Sequence, residues 1–501
     1  MDYLDPKKQF RHKIILLVGY VLVGLAIVIG TLVLLYQAYG FGLGKNGTVI
    51  QNGLFFFSSQ PHPANIYVNG TLKSVKTNTR LSLPAGIYHI TLSRDGYRDW
   101  QREIALDGGS VEHFDYPFLI PKTLSPKRVT AYNAAPGTML QSPDRRWLLV
   151  QQPGTLTQFD VYDLKNPDKA PTQLGLPDNL LTKAANPASE SWQLGEWADD
   201  NQHVLLQHLY DGKSEYVLLD RSDPTQSVNL DAALNLSPTD PIRLTLDNKK
   251  YNQYYVYRAA TAQLQKTTLK DAAAGAAAQP FLEHVLSYQS YSDDTMLYVT
   301  DNGAPAGKVL LKLRVGSKTY TIHNFPAGSP YLVDLTEYSG DLYVTASAAN
   351  ENKVYIYKDP IGQLTANPGR LPAPIQVLHV TAPNYLSFSD SAQFIVAENG
   401  TEFGVYDIEN EQAYHYTSSH PLDAPQPHAT WMDGDRLMYV SGGKLLMFDY
   451  DNANQQVLVN ADSRFEPAFT PDFKFLYNLA PAPAAGQVDL DRTSLLTPAD
   501  Q

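Results

Sequence analysis

A polar, Asp-bearing turn followed at once by an apolar strand recurs along most of this chain. The phrase reads "SPDRRWLLVQQ" from Ser142, "ADDNQHVLLQH" from Ala198, "SDDTMLYVTDN" from Ser292 and "SGDLYVTAS" from Ser339. It returns as "SDSAQFIVAEN" from Ser389, "MDGDRLMYVSG" from Met432 and "TPDFKFLYNLA" from Thr470, with a degenerate copy, "DNKKYNQYYVYRA", from Asp247. Most copies are followed by a second strand, such as "QFDVYDL", "KVYIYKD" or "KLLMFDY". Successive copies lie roughly 40 to 55 residues apart, the period of propeller blades. A single four-stranded sheet cannot cover both of its faces, whereas a closed ring of such sheets buries each against the next. The expectation for residues 122–501 is therefore a β-propeller of seven or eight blades, because one copy is degenerate and the last is short. In such a ring the Asp-bearing turn joins the inner strands, its carboxylate accepting backbone hydrogen bonds locally, and the apolar strand packs between neighbours. "DAAAGAAAQP" at 271–280 reads as a loop between strands, with a short Ala-rich helix as the alternative.

The repeat resembles the TolB or WD40-like propeller repeats, whose hallmark is Ser-Pro-Asp-Gly followed by apolar residues. Ser142-Pro143-Asp144 and Thr470-Pro471-Asp472 match it best.

The N-terminal region obeys different physics. Ile14 to Leu35, "IILLVGYVLVGLAIVIGTLVLL", contains no charge. At about 1.5 Å per residue such a helix spans roughly 33 Å, enough to cross a bilayer core. A cleaved signal peptide ends its shorter apolar run at small residues, whereas this one exits through Tyr36 and Tyr39, so the segment reads as a retained signal-anchor. Tyr36, Tyr39 and Phe41 suit the membrane interface. Lys7, Lys8, Arg11 and Lys13 precede the span and Lys45 is the nearest base after it, which puts 1–13 in the cytoplasm and everything after about residue 40 outside. Residues 36–47 read as a flexible linker. "GFGLGKNGT" within it is no phosphate loop: the required first Gly is Tyr39 and the required Ser or Thr is Asn46.

Residues 48–121 read as a small, separate β domain. Leu54 to Phe57 is an apolar strand, "SSQPHP" a break, and "NIYVNGTLK" a hairpin with Asn69-Gly70 at its bend. At "LSLPAG" Pro84 fixes φ and Gly86 releases it, so the chain reverses. Tyr88, Ile90 and Leu92 then share one face of a strand, with His89, Thr91 and Ser93 on the other. Asp95-Gly96 turns the chain into a strand from Trp100 to Leu106. The order "SSQPHPANIYVNG … LSLPAGIYHITLSRDGY" resembles the PEGA domain, with Pro84-Ala85-Gly86 standing where the namesake has Pro-Glu-Gly-Ala. That resemblance implies a prokaryotic cell-envelope protein with an exported β-sandwich-like domain, in line with the topology read from charge. It does not supply a ligand.

Composition closes off several functions. The net charge of -12 gives no basic stripe, so nucleic acid is not an expected partner. Cys is absent, which excludes disulfides, a thiolate zinc site, a Cys nucleophile and a lipidated Cys. There is no G-x-S-x-G elbow and no H-E-x-x-H pair. His203 and His208, five apart on a strand, face opposite sides and read as surface or packing residues. "DYDNANQQ" from Asp449 lacks the Gly and distal Glu of a calcium loop and reads as a solvated turn. Tyr254, Tyr255 and Tyr257, or Tyr288 and Tyr291, suit a polysaccharide or peptide groove, but packing between blades is the favoured reading. No catalytic, cofactor-binding or metal residue is assigned, and no cofactor is expected. The reading is an all-β, single-pass membrane protein whose extracytoplasmic propeller docks an envelope protein or cell-wall polymer. The alternative is a propeller-based envelope hydrolase or lyase. A sensor is a weaker third, because 13 cytoplasmic residues are too few for a signalling domain.

Overall fold

The computed structural model describes residues 6–38, 40–43, 49–292, 294–426 and 428–500. Tyr39, Lys45 and Asn46 with the rest of 44–48, the first five residues of the basic segment, and Asp293 of one repeat copy lie outside the described residues.

One helix, Pro6–Ala38, runs past the expected 14–35 span at both ends. Within Lys8–Tyr36 an 18-residue window reaches a mean hydropathy of 2.7, none of that window is buried by protein, and the helix is long enough to cross a membrane. Part of the expected linker is ordered, because Phe41–Leu43 forms a short strand paired antiparallel with Val49 to Gln51.

By their contacts the residues fall into two compact units, 1–123 with 496–501, and 124–495. The first holds a sandwich of two four-stranded sheets. One joins Phe41–Leu43, Val49–Phe57 and Thr79–Pro84, with Val111–Phe114 parallel to the second of these. The other runs in the order Thr71–Lys76, Asn65–Val68, Gly86–Ser93 and Trp100–Leu106. Between them lie Phe55, Phe57, Ile66, Ile90, Leu92, Tyr97 and Trp100, all at most 1 % exposed. The hairpin bend is as expected: Val68 pairs with Thr71, and Asn69 and Gly70 have φ of 49° and 73°.

The corner at 84–86 is built differently. Thr79–Pro84 and Gly86–Ser93 belong to different sheets, so the chain changes layers there rather than folding back on itself. Gly86 has no positive φ, and a Cβ on it would make only ordinary contact with the Tyr88 ring at 3.8 Å. The C-terminal residues expected in the propeller group here instead. Asp500 pairs with Arg94 and accepts the Tyr97 hydroxyl at 2.7 Å, and the Thr497 N–H donates to that hydroxyl at 2.9 Å.

Among the described residues the second unit holds eight four-stranded antiparallel sheets in chain order, and the first seven pair their strands in sequence. We number them as blades 1 to 8 by their first strands: Met139–Gln141, Ser191–Trp197, Ile242–Asp247, Val285–Ser292, Tyr331–Tyr338, Tyr385–Phe388, Thr430–Trp431 and Ala468–Phe469. Every copy of the repeated turn, the degenerate one included, joins the first strand of a blade to its second. The second and third strands of most blades are largely buried, as in Phe394–Glu398 and Lys444–Asp449, whereas those of blade 3 are buried only in part. Alternation divides their side chains between two neighbours: Tyr254 packs between blades 2 and 3, and the adjacent Tyr255 between blades 3 and 4. Blade 8 takes its fourth strand from the start of the unit, where Lys127–Tyr132 pairs with Val488–Ser494 and closes the ring. In the Ala-rich segment the helical alternative holds for a single turn, Leu269–Ala273, because the Thr268 hydroxyl caps it by accepting the Asp271 N–H at 3.0 Å.

Candidate functional site

The repeated turn is the local unit on which the site is built. Its carboxylate accepts backbone N–H groups that the tight reversal leaves exposed. In blade 1 the Arg146 N–H donates to Asp144 at 3.0 Å and the Trp147 N–H to the Ser142 hydroxyl at 2.9 Å. Blade 8 repeats this with Asp472 and Thr470.

Ahead of each turn lies a first strand paired on one side only, which leaves its other edge toward the centre of the ring. Hydrogen bonds between successive first strands form a belt. Gln141 bonds Phe469 in both directions, linking blades 1 and 8. The Leu246 N–H donates to Glu196, and the Thr245 and Tyr288 hydroxyls meet at 3.3 Å. The Glu337 N–H donates to the Tyr291 hydroxyl, the Phe388 N–H to Asp334, and the Trp431 indole to the Ser387 hydroxyl at 3.1 Å.

On the arc of blades 7, 8, 1 and 2 the first strands stand around a cavity of about 650 Å³. Three of the five tryptophans, Trp192, Trp197 and Trp431, line it together with Met139, Met432 and Met438. Its charged groups are mostly matched. Arg145, on the turn of blade 1, pairs with Asp390 on the turn of blade 6, so this ion pair reaches between blades that are not neighbours. Lys249 holds Glu196 at 2.6 Å, and Arg464 holds Asp462. Glu466 faces the cavity, and the surrounding protein pushes its carboxyl above the usual range, with His428 drawing it partly back. Three donors on residues around the cavity, Arg145 Nη1, Trp197 Nε1 and Thr430 Oγ1, have no partner among the described residues, but all are cut off from solvent and so turned away from the open space. A second cleft of about 400 Å³ lies between the turns of blades 8 and 1, but there Arg146 is held by Asp163 and Asp472 by Lys474.

The residues weighed from sequence stand elsewhere. His203 and His208 share the strand His203–Tyr210; His203 bonds Asp200 at 2.6 Å and stacks on Tyr251. His208 is fully buried, with Nδ1 2.9 Å from Glu215. Asp449 is not solvated: it is 1 % exposed, beside the Arg436 guanidinium, and accepts from Asn454 at 2.8 Å. Tyr254 and Tyr255 are core, Tyr257 donates to the Val285 carbonyl, and Tyr288 and Tyr291 serve the belt. Among the described residues no group of His, Asp and Glu has the arrangement of a metal site. The cavity residues went unnoticed in the sequence, although a signal was there: Trp197 and Trp431 each precede a turn Asp by two residues, in "WAD" and "WMD".

Residues 53–119 match the family model of the PEGA domain. No curated protein matches the chain. Among solved structures it is similar to the C-terminal WD40 domain of Sif2, at 9% identity over 73% of this chain and 97% of that one, with a TM-score of 0.44. It is similar to the Dos1 propeller at 13% identity over 74% and 96%, TM-score 0.44. A third likeness is to oligogalacturonate lyase in complex with manganese, at 12% identity over 75% and 97%, TM-score 0.38. The chain thus carries a PEGA domain, a β-propeller and one helix apolar enough to span a membrane.

Proposed function

We propose that this protein is a membrane-anchored binding or scaffolding protein of the prokaryotic cell envelope, whose extracytoplasmic propeller docks a protein or an envelope polymer. The cavity carries this reading. It combines indole and thioether surface with charged and polar side chains in one concave site, the mix by which such a site orients a ligand. The uncovered apolar helix and the bases before it support a retained anchor with its N-terminus inside. The PEGA domain, lying between helix and propeller in sequence, serves as a spacer or a contact with wall material. A hydrolase or lyase is the weaker alternative. Asp390 and Glu196 are engaged by cations, which leaves Glu466 without a second free carboxylate of the kind two-carboxylate hydrolysis uses.

Topology is directly testable because the chain has no Cys. Single Gln9→Cys and Ser419→Cys variants are treated with a membrane-impermeant maleimide on cells stripped of any outer barrier. Ser419→Cys is expected to label on intact cells, and Gln9→Cys only after permeabilisation. The opposite pattern, or release of a soluble form lacking the helix, would contradict the anchor.

A further inference from the structure

We infer that the cavity takes a positively charged side chain of a protein partner, a lysine or arginine whose head group meets the Glu466 carboxylate. This deepens, and rests on, the reading of the propeller as the docking unit. Charge singles out that carboxylate. On the lining, Arg145 is matched by Asp390, Lys249 by Glu196 and Arg464 by Asp462. Glu466 has neither a hydrogen-bond donor nor an ion-pair partner among the described residues. The nearby His428 gives its Nδ1 hydrogen to the Ala429 carbonyl at 2.9 Å and attracts Glu466 only from a distance. Unlike the sealed donors around the cavity, Glu466 is exposed, and it lines the open space. The protein around it still raises its carboxyl, so the charge is open to a ligand yet poorly solvated.

Glu466 stands two residues ahead of the first strand of blade 8, whereas Arg145, Lys249 and Asp390 sit on turns that follow first strands. The free carboxylate is therefore at one end of the cavity and the two matched pairs at the other. Partly exposed apolar side chains, Leu140, Trp431 and Pro467, line the same space. That combination suits a charge on an apolar stem. The methylenes of lysine or arginine cover apolar surface while the head group reaches the carboxylate, and an indole face attracts the same cation. An anion would meet an unmatched negative charge. A sugar hydroxyl would donate a hydrogen bond and leave the charge, and a bond between charged groups is roughly twice as strong. The cavity of about 650 Å³ holds more than one head group, so a free small amine would leave most of it unfilled.

The test uses the full chain in nanodiscs of zwitterionic lipid, titrated by calorimetry with empty nanodiscs as the blank. The probes are end-blocked heptapeptides of Ser and Leu with Lys, Arg, Gln or Glu at the centre, spermidine, and an N-acetylglucosamine oligosaccharide. The Lys or the Arg peptide is expected to bind saturably, and the Gln and Glu peptides at least about tenfold more weakly. Glu466→Gln, which keeps the shape and removes the charge, is expected to erase that preference. Glu283→Gln removes an equal charge from an exposed residue outside the lining and is expected to leave the preference intact. Equal binding of the Lys, Arg and Gln peptides overturns the inference. So does a preference untouched by Glu466→Gln or lost equally with Glu283→Gln, or tighter binding of spermidine or the saccharide. If no peptide binds while capture of an envelope component still depends on Trp431 and Arg145 of the lining, the inference falls and the broader reading stands.

Discussion

Glu398 and Glu215 are both buried carboxylates, and their surroundings send them in opposite directions. Burial raises both, but Glu215 collects hydrogen bonds from His208, Thr182 and Asn229, which together bring it down to about 2. Glu398 accepts from the Ala429 N–H, its second oxygen has no partner among the described residues, and burial wins, at about 7. The signs for stability follow. The Glu215 contribution is present above the ordinary value of 4.5 and is lost as pH falls toward 2. The Glu398 contribution is complete below 4.5 and is lost as pH rises through about 7. Glu398→Gln keeps an acceptor for Ala429 and removes the charge. It is expected to flatten the fall in Tm between pH 5 and pH 8, by no more than roughly 3 kcal/mol of stability. An unchanged slope would show that Glu398 is ionised without penalty. Neither carboxylate stood out in the sequence, because each sits within an ordinary strand and the groups that shift it come from other parts of the chain.

At the scale of elements, the turn and the strand after it were legible because each is local: Asp binds its own reversal, and an apolar run of five or more residues demands burial on both sides. First strands were not legible. That of blade 7 has two residues, Thr430 and Trp431, and that of blade 4 has eight of mixed polarity, so no period announces them. The closing strand was invisible for another reason. "KRVTAY" carries no strong alternation, and its partner Val488–Ser494 lies at the other end of the chain. The same holds for Phe41–Leu43, which became a strand through pairing rather than propensity. Ring closure makes a sharp prediction. Adjacent strand residues point their N–H groups to opposite sides, so Thr130→Pro with Ala131→Pro must delete at least one ladder bond to Val488–Ser494. The pair is expected to cost about 3 kcal/mol or more. It should also speed amide exchange across Val488–Ser494. An unchanged urea midpoint would mean that the ring does not depend on this latch.

At the scale of the molecule, a chain without Cys keeps its fold by packing alone, and two separate cores do so here: the sandwich around Phe55 and Trp100, and the shared cores between blades. The sandwich was readable from its turns, since Asn69-Gly70 and Asp95-Gly96 fix hairpins that sequence announces; Gly86 was misread because a change of sheet and a reversal look alike in one dimension. The cavity was the least readable part, for it exists only once four blades meet. The account turns on that cavity as the place where an envelope component is held. The most direct measurement is in-cell cross-linking followed by purification of the full chain, comparing the wild type with Trp431→Leu/Arg145→Met at matched Tm and membrane content. The prediction is one envelope component enriched with the wild type and recovered at least tenfold less with the variant. Equal recovery from both, or recovery by residues 1–123 alone, would contradict it.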